Sequence, residues 1–151
     1  MISRLTRLVP VLLLLACVTP QWNPQGIEWM SYEAGLERAR REQKPIMLVM
    51  YTEWCPYCKK LSKQFGSDEV ERQSRDFIMV RVNTDERPDL SERFSPDGSY
   101  IPRVFFLKPD GAPQLDFVSS SGRSKYSVDS SSDKHLLWLL GQARLRLRTS
   151  S

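Results

Sequence analysis

The sequence has few of the side chains that hold metal ions or build disulfide networks, with three cysteines and one histidine among 151 residues. A structural zinc site takes four ligands, and Cys55 and Cys58 would have only the distant Cys17 and His135 to complete one. Three cysteines also exclude a small scaffold held by several disulfides. We therefore predict no bound metal, and we interpret His135 as a surface or capping residue.

Strong charge is a second feature that the sequence lacks. The formal net charge is +4, and two of the positive charges, Arg4 and Arg7, lie in the first 16 residues. So mild a balance does not favour nucleic acid as a partner, and we predict none. No repeat is visible, and the length is that of one domain, which we expect to be a monomer.

Residues 1–16 have the composition of an export signal. Two arginines precede the apolar run Leu8–Leu15, which is too short to span a bilayer. The residues that follow, up to Cys17, resemble a bacterial lipobox, in which the cysteine receives a lipid. We therefore predict a lipoprotein signal peptide over 1–16 and a lipid anchor at Cys17. The alternative is an incidental cysteine inside a cleaved peptide.

The lipobox also implies a location. Val18 is not an inner-membrane retention signal of the aspartate type, so we expect a bacterial envelope protein facing the periplasm, held at the outer membrane of a two-membrane cell. Residues 17–27 contain two prolines and a glycine and are predicted to be a tether. The folded domain is predicted over 28–149. An oxidising compartment of this kind permits thiol–disulfide chemistry.

The motif Cys55-Pro56-Tyr57-Cys58 stands between an apolar run and a segment with helical periodicity. The apolar run, Pro45–Tyr51, is typical of a buried strand. Cys55 would then lie at a helix N-terminus, where unpaired N–H groups favour a thiolate, and Pro56 fits the first turn. Cys58 lies one turn further on and can form a disulfide with Cys55. The pattern predicts a redox-active pair.

The rest of the pattern predicts an α/β domain with a central mixed sheet flanked by helices. Helices are predicted over 32–43, from the cysteine motif to 65, over 69–75 and over 133–148, and strands over 45–51, 77–82, 100–107 and 114–118. Residues 83–99 and 119–132 are predicted to be irregular, with one helical turn near 90–94. The last helix is expected to bury Leu136, Leu137, Leu140 and Ala143.

This order resembles the thioredoxin fold, with Trp54 and the cysteine motif after the first core strand and Ile101-Pro102 opening the third. Phe94–Leu107 resembles more specifically a signature of the endoplasmic-reticulum thioredoxin-domain and anterior-gradient proteins. That similarity covers about 26–107. The central strand and the segments after it are also similar to the C-terminal thiol domain of the bacterial DsbD reductase.

The resemblance implies roles for residues around the cysteines. It implies that Ile101–Pro102 is a cis peptide facing the disulfide and that these two residues hold the backbone of a substrate chain. Trp54 is expected to shield one side of the sulfur pair, and Tyr57 to modulate its potential and present a surface to the partner. Glu53 is the nearest acid and is interpreted as a neighbour of the site.

The sequence therefore predicts a thiol–disulfide oxidoreductase acting on protein thiols and disulfides, in which Cys55 attacks and Cys58 resolves a mixed disulfide. The pair is its own redox group, so no further cofactor is predicted, and a membrane-bound electron donor is a candidate partner. The direction of electron flow stays open. One alternative is a client-binding or chaperone-like module whose redox activity is incidental. Another is a metallochaperone that holds a soft ion such as Cu(I).

Overall fold

The computed structural model describes residues 22–119 and 124–148. The predicted signal peptide, Cys17 and the first part of the predicted tether lie outside these residues. Within them, no helix combines the length and the apolar character that passage through a membrane requires.

Five helices and three strands form within the described residues, and they follow the predicted order except for one missing strand. They are α1 (Tyr32–Glu42), β1 (Ile46–Tyr51), α2 (Pro56–Gln64), α3 (Asp68–Ser74), β2 (Ile78–Asn83), α4 (Pro88–Arg93), β3 (Arg103–Leu107) and α5 (Lys134–Arg148). The predicted fold class, a mixed sheet flanked by helices, is confirmed.

The sheet explains why the run before the cysteines is apolar throughout. β1 lies between β2, which is parallel to it, and β3, which is antiparallel. All six residues of β1 are buried, as expected for a strand covered on both faces. The carboxyl end of β1 delivers the chain to the cysteine motif, and the antiparallel register brings the start of β3 to the same end, with Met50 opposite Arg103.

Alternate residues of β1 point to opposite faces of the sheet. Met47 and Val49 pack with the two cysteines, α2 and α5, and we name this the cysteine face. Ile46, Leu48 and Met50 pack on the other side, mainly against residues of α1, β2 and α4. We name this second side the arginine face, because Arg103 is buried there beside Met50.

The structure corrects the predicted tether. Trp22 and Ile27 are only 2% and 4% exposed and belong to the core of the cysteine face. The Trp22 ring lies 4.9 Å from the ring of Tyr51 and 5.8 Å from that of Phe65, measured between centroids. The packed domain therefore includes Trp22 and Ile27 and does not begin at residue 28.

The predicted strand over 114–118 is wrong. The pairing with β3 ends after one isolated bridge between Leu107 and Pro113, because the chain then turns and the Phe117 N–H bonds to the Gln114 carbonyl. The predicted alternation fails as well, because Leu115 and Phe117 would share one face of a strand, whereas Phe117 is buried and Leu115 is exposed. β3 is also shorter than predicted, beginning at Arg103 rather than at residue 100.

The inward stripe of α5 differs from the prediction at one position. Leu136, Leu140 and Ala143 are buried as expected, but the fourth buried side chain is Leu139, and Leu137 is only partly buried. Leucines at four of five consecutive positions leave the rotation of a helix ambiguous in the sequence. Packing of α5 against α3 and the core decides it.

Candidate active site

Cys55 occupies the N-cap of α2. Its backbone is extended, with φ −70° and ψ 118°, Pro56 follows at the start of the helix, and Cys55 Sγ accepts a hydrogen bond of 3.3 Å from the Cys58 N–H. An N-cap side chain normally supplies an oxygen to these orphan N–H groups. Here a sulfur takes that place, and the donated N–H and the helix dipole both stabilise negative charge on it.

The cis peptide predicted at Ile101–Pro102 is confirmed. The Ile101 carbonyl oxygen lies 3.9 Å from Cys55 Sγ, so the first cysteine faces this peptide directly. Pro102 is buried and Ile101 is half-buried. The structure thus brings the pair Cys55 and Cys58 together with the pair Ile101 and Pro102, although the two pairs lie more than 40 residues apart in the sequence.

Cys58 lies deeper than Cys55. Its exposure is 0%, against 3% for Cys55. Burial raises the pKa of the Cys58 thiol, and the hydrogen-bonding contact with Cys55 raises it further. A thiol held neutral behind an N-cap sulfur suits the division of labour predicted for the pair, in which the outer sulfur attacks and the inner one resolves.

Two aromatic side chains flank the motif at the surface. Trp54 is 65% exposed and Tyr57 61% exposed. The Trp54 Nε1–H donates to Asp85 Oδ2 at 2.9 Å, which fixes the indole over the loop after β2. Asp85 was missed by the sequence reasoning, although β1 and β2 are parallel neighbours, so the residues that follow them meet at one edge of the sheet.

Comparison with known proteins identifies the family. The sequence pattern of the thioredoxin-like family matches residues 28–109. The chain belongs to the thioredoxin-like family. The predicted closeness to the anterior-gradient proteins is also confirmed: anterior gradient protein 1 of Xenopus laevis is 34% identical over 128 residues, which cover 83% of this chain and 68% of the relative.

Solved structures agree on the fold. A thioredoxin from Thermus thermophilus superposes with a TM-score of 0.60 at 22% identity, covering 80% of this chain and 89% of its own. A disulphide isomerase from Xylella fastidiosa Temecula1 gives a TM-score of 0.58 at 22% identity, covering 73% of this chain and 86% of its own. At this level of identity the two structures show a shared thioredoxin-like fold.

Below the cysteines, this thioredoxin-like chain has no acid in β1. Val49, six residues before Cys55, is fully buried. Glu53 is half-buried, and its Oε2 atom is enclosed with no hydrogen-bond partner among the described residues. The pKa of Tyr51 is raised to about 12, chiefly by burial and also by the Glu53 carboxylate. Glu53, two residues before Cys55, is the acid nearest the pair in the chain.

Arg103, the residue after the cis-proline, is a second residue that sequence reasoning missed. It is fully buried, and its guanidinium donates to Ser95 Oγ at 2.8 Å, to the Gly98 carbonyl at 2.6 Å and to Ser91 Oγ at 3.1 Å. Burial lowers its pKa. Arg103 thereby ties the segment 91–98 to the start of β3. An arginine inside an otherwise apolar strand was the available signal.

The arrangement as a whole can carry out one kind of chemistry. A sulfur at a helix N-terminus can act as a nucleophile, a second sulfur one turn behind it can resolve the product, and the cis peptide beside them offers a backbone carbonyl. Within the described residues, no group of three or more histidine, cysteine or acidic side chains is placed to hold a metal ion.

Proposed function

We propose that this thioredoxin-like chain is a thiol–disulfide oxidoreductase that acts on protein thiols and disulfides through Cys55 and Cys58. The observation that carries the proposal is the position of Cys55 Sγ, which caps α2 and faces the Ile101 carbonyl at 3.9 Å with Cys58 directly behind it. The redox group is the cysteine pair itself, and no other cofactor is invoked.

In the reducing direction the steps balance within the pair and its substrate. The Cys55 thiolate attacks one sulfur of a client disulfide, an S–S bond forms, and the other client sulfur leaves as a thiolate. Cys58 then loses its proton and attacks Cys55 Sγ, which releases the second client sulfur and leaves the pair oxidised. The client gains two electrons and the pair loses two. Oxidation of a client runs the same steps in reverse.

The cis peptide has a positioning role in this proposal. Ile101 and Pro102 lie beside the attacking sulfur, and a client backbone pairing at this point would be held against it. Trp54 and Tyr57 extend an exposed aromatic rim around the same point. Aromatic side chains of this kind give large contact area at low cost in conformational entropy.

The compartment is part of the proposal and rests on the sequence. A lipid on Cys17 would hold the protein at a bacterial envelope membrane, facing the periplasm, where a membrane-bound donor could reload the pair. Trp22 is packed into the domain, so only residues 18–21 separate the anchor from it. Four residues span at most about 14 Å. Such a short link keeps the domain close to the membrane surface.

Turnover of insulin disulfides tests the function. The full chain should reduce insulin with a supplied dithiol, Cys55→Ser should abolish turnover, and Cys58→Ser should trap a mixed disulfide because the resolving sulfur is missing. Equal protection of an unfolding client by the native protein and by Cys58→Ser, with no turnover in either, would instead support a client-binding module. Equilibration with a glutathione buffer then gives the reduction potential and the direction of flow.

The anchor is tested separately. Cys17→Ser should move the protein out of the membrane fraction, or leave it unprocessed, while its activity in solution is unchanged. A variant that is processed normally and stays membrane-bound would refute the lipid anchor and leave the redox proposal standing.

A further inference from the structure

We infer that a basic groove beside the cysteine pair selects clients that carry acidic residues close to their reactive cysteine. The inference rests on the proposed function and names its substrate class. The groove is a solvent-open cavity of about 500 Å³ between α2 and the segment before α5. Lys60 and Lys63 line one wall, and Ser130, Ser131 and Asp133 line the other. We name it the α2 groove.

The charge of the α2 groove comes from the cysteine helix. The charged side chains of α2 are Lys59, Lys60 and Lys63, with no carboxylate among them. Lys60 and Lys63 are exposed and Lys59 is half-buried. Asp133 is the carboxylate that lines the groove. It offsets one lysine, so positive charge remains in excess.

The opposite wall is fixed to α2 by a buried amide. Gln64 is only 8% exposed, and its Nε2 donates to the Asp129 carbonyl at 3.0 Å. The Asp129 carboxylate accepts from the Ser131 N–H at 2.8 Å, which occupies it within its own turn. The groove is therefore a formed feature with defined walls.

The α2 groove lies along the same helix that begins at the reactive sulfur. Tyr57, beside Cys58 and exposed, has Lys60 Nζ 5.7 Å from its ring centroid. Lys63 follows Cys55 by eight positions, which corresponds to a rise of about 12 Å along the helix axis. An extended chain covers that distance in about four residues. An acidic pair three or four residues from a client cysteine would thus reach the two lysines while the cysteine meets Cys55.

The expected selectivity is moderate, because the lysines are in contact with water. Exposed charge pairs of this type change affinity by about two- to fivefold each, so two lysines give about tenfold together. Most of the effect should fall on the association rate and should weaken as salt screens the charges.

Sets of three synthetic peptides test the inference, each peptide supplied as a disulfide-linked homodimer so that attack on either sulfur is equivalent. Within a set, the peptides differ only at the two positions that lie three and four residues from the cysteine, where both residues are Glu, Gln or Lys. One set of three carries these positions before the cysteine, and a second set carries them after it. Reduced full-length protein, purified in detergent, is mixed with each peptide under single-turnover conditions. The second-order rate constant should be about tenfold higher for the Glu peptide than for the Lys peptide, and the ratio should approach one in about 0.5 M salt.

Charge reversal locates the effect. Lys60→Glu combined with Lys63→Glu should invert the preference, so that the Lys peptide reacts faster than the Glu peptide. The matched control is Lys44→Glu combined with Lys108→Glu, which changes the net charge equally. These two lysines lie next to the paired ends Ile46 and Leu107 of β1 and β3, at the far end of the sheet. The control should keep the native preference.

Each outcome decides between the two claims. Equal rates for the three peptides, or a preference that the control pair removes as well, overturn the groove and leave the oxidoreductase in place. Failure to reduce any of the peptides overturns the proposed function, and the groove with it.

Discussion

The two faces of the central sheet are built on different principles. The cysteine face is an aromatic and aliphatic core that contains the two sulfurs. The arginine face encloses a whole guanidinium, whose two terminal nitrogens donate to hydroxyl and carbonyl oxygens of the segment 91–98. The peptide Ile101–Pro102 connects the two faces. Its Ile101 carbonyl contacts Cys55 Sγ, and Arg103 follows Pro102 directly in the chain.

The cysteine face holds the reactive groups, and the arginine face holds a loop next to them in place. On the cysteine face, low polarity keeps Cys58 neutral and the N-cap holds Cys55 ready. On the arginine face, a charged group with several donors in a fixed fork bonds to the last turn of α4 and to the loop that follows it. The network extends from Asp97, which accepts from the Tyr100 hydroxyl and from the Lys125 N–H, across to the segment before α5.

Removal of the Trp22 indole should have the largest effect on stability. Trp22→Ala empties a site packed against three aromatic rings of the cysteine face, and such substitutions cost about 3–5 kcal/mol. Urea unfolding measures the loss. Trp138→Ala is the matched control, because that indole is 52% exposed and should change stability by less than about 0.5 kcal/mol. A loss at Trp22 as small as that would return residues 22–27 to the status of a tether.

Removal of the Arg103 charge tests the other face. Arg103→Met keeps the length of the side chain but leaves the oxygens of Ser91, Ser95 and Gly98 without their donor, and the expected loss is about 1–3 kcal/mol. Arg93→Met, at an exposed arginine of the same segment, should cost far less. Insulin reduction should fall in Arg103→Met beyond its loss of stability. A variant as stable and as active as the native protein would show that the network does not position the cis peptide.

The stability of the reduced protein should fall at alkaline pH, because the folded state keeps the Cys58 thiol protonated. Burial raises the pKa of this thiol above its ordinary value of 9.0 in the folded protein. The folded state therefore holds the proton more tightly than the unfolded state. The contribution to stability is complete below about pH 9 and is lost as the pH rises towards the folded pKa, with a slope approaching about 1.4 kcal/mol per pH unit.

Chemical unfolding of the reduced protein from neutral to alkaline pH, beside Cys58→Ala, isolates this effect. Tyr51 also has a raised pKa, but it titrates in both proteins and cancels in the difference. Parallel curves for the two proteins would contradict a neutral, buried Cys58.

The smallest effect is expected at the rim. Asp85→Ala removes the acceptor of the Trp54 Nε1–H bond, and an exposed bond of this kind is worth at most about 1 kcal/mol. The loss should appear as a higher KM for protein clients with little change in the unfolding midpoint. Asp116→Ala, at an exposed carboxylate elsewhere, provides the comparison. A large loss of stability at Asp85 would mean that the rim is structural.

The local sequence pattern and the family resemblance together predicted most of the candidate site. The apolar run of β1, the cysteine spacing and Pro56 together predicted a sulfur at a helix N-terminus, because each acts within a few residues of the next. The cis form of Ile101–Pro102 came from the family resemblance and is confirmed. Asp85 could not be found in this way, since its role depends on a neighbouring strand rather than on its own segment.

The errors share a cause. Trp22 lies among prolines and a glycine, where no periodicity signals burial, and only the aromatic pocket formed by Trp29, Tyr51 and Phe65 gives it a place. Alternation at 114–118 suggests a strand with Leu115 and Phe117 on one face, but the hydrogen bonds of a strand require an aligned partner. The turn at Leu115 removes that partner and leaves Phe117 buried and Leu115 exposed.

By itself, then, the sequence determined the order of the helices and of the three strands, the place of Cys55 at a helix start and the membership of an α/β thioredoxin-like class. These follow from interactions between residues close in the chain. The tertiary structure alone decided the burial of Trp22, the Arg103 network, the contact of Cys55 with Ile101 and the α2 groove. Each of these depends on packing or hydrogen bonds between segments far apart in sequence, whose energies no local pattern records.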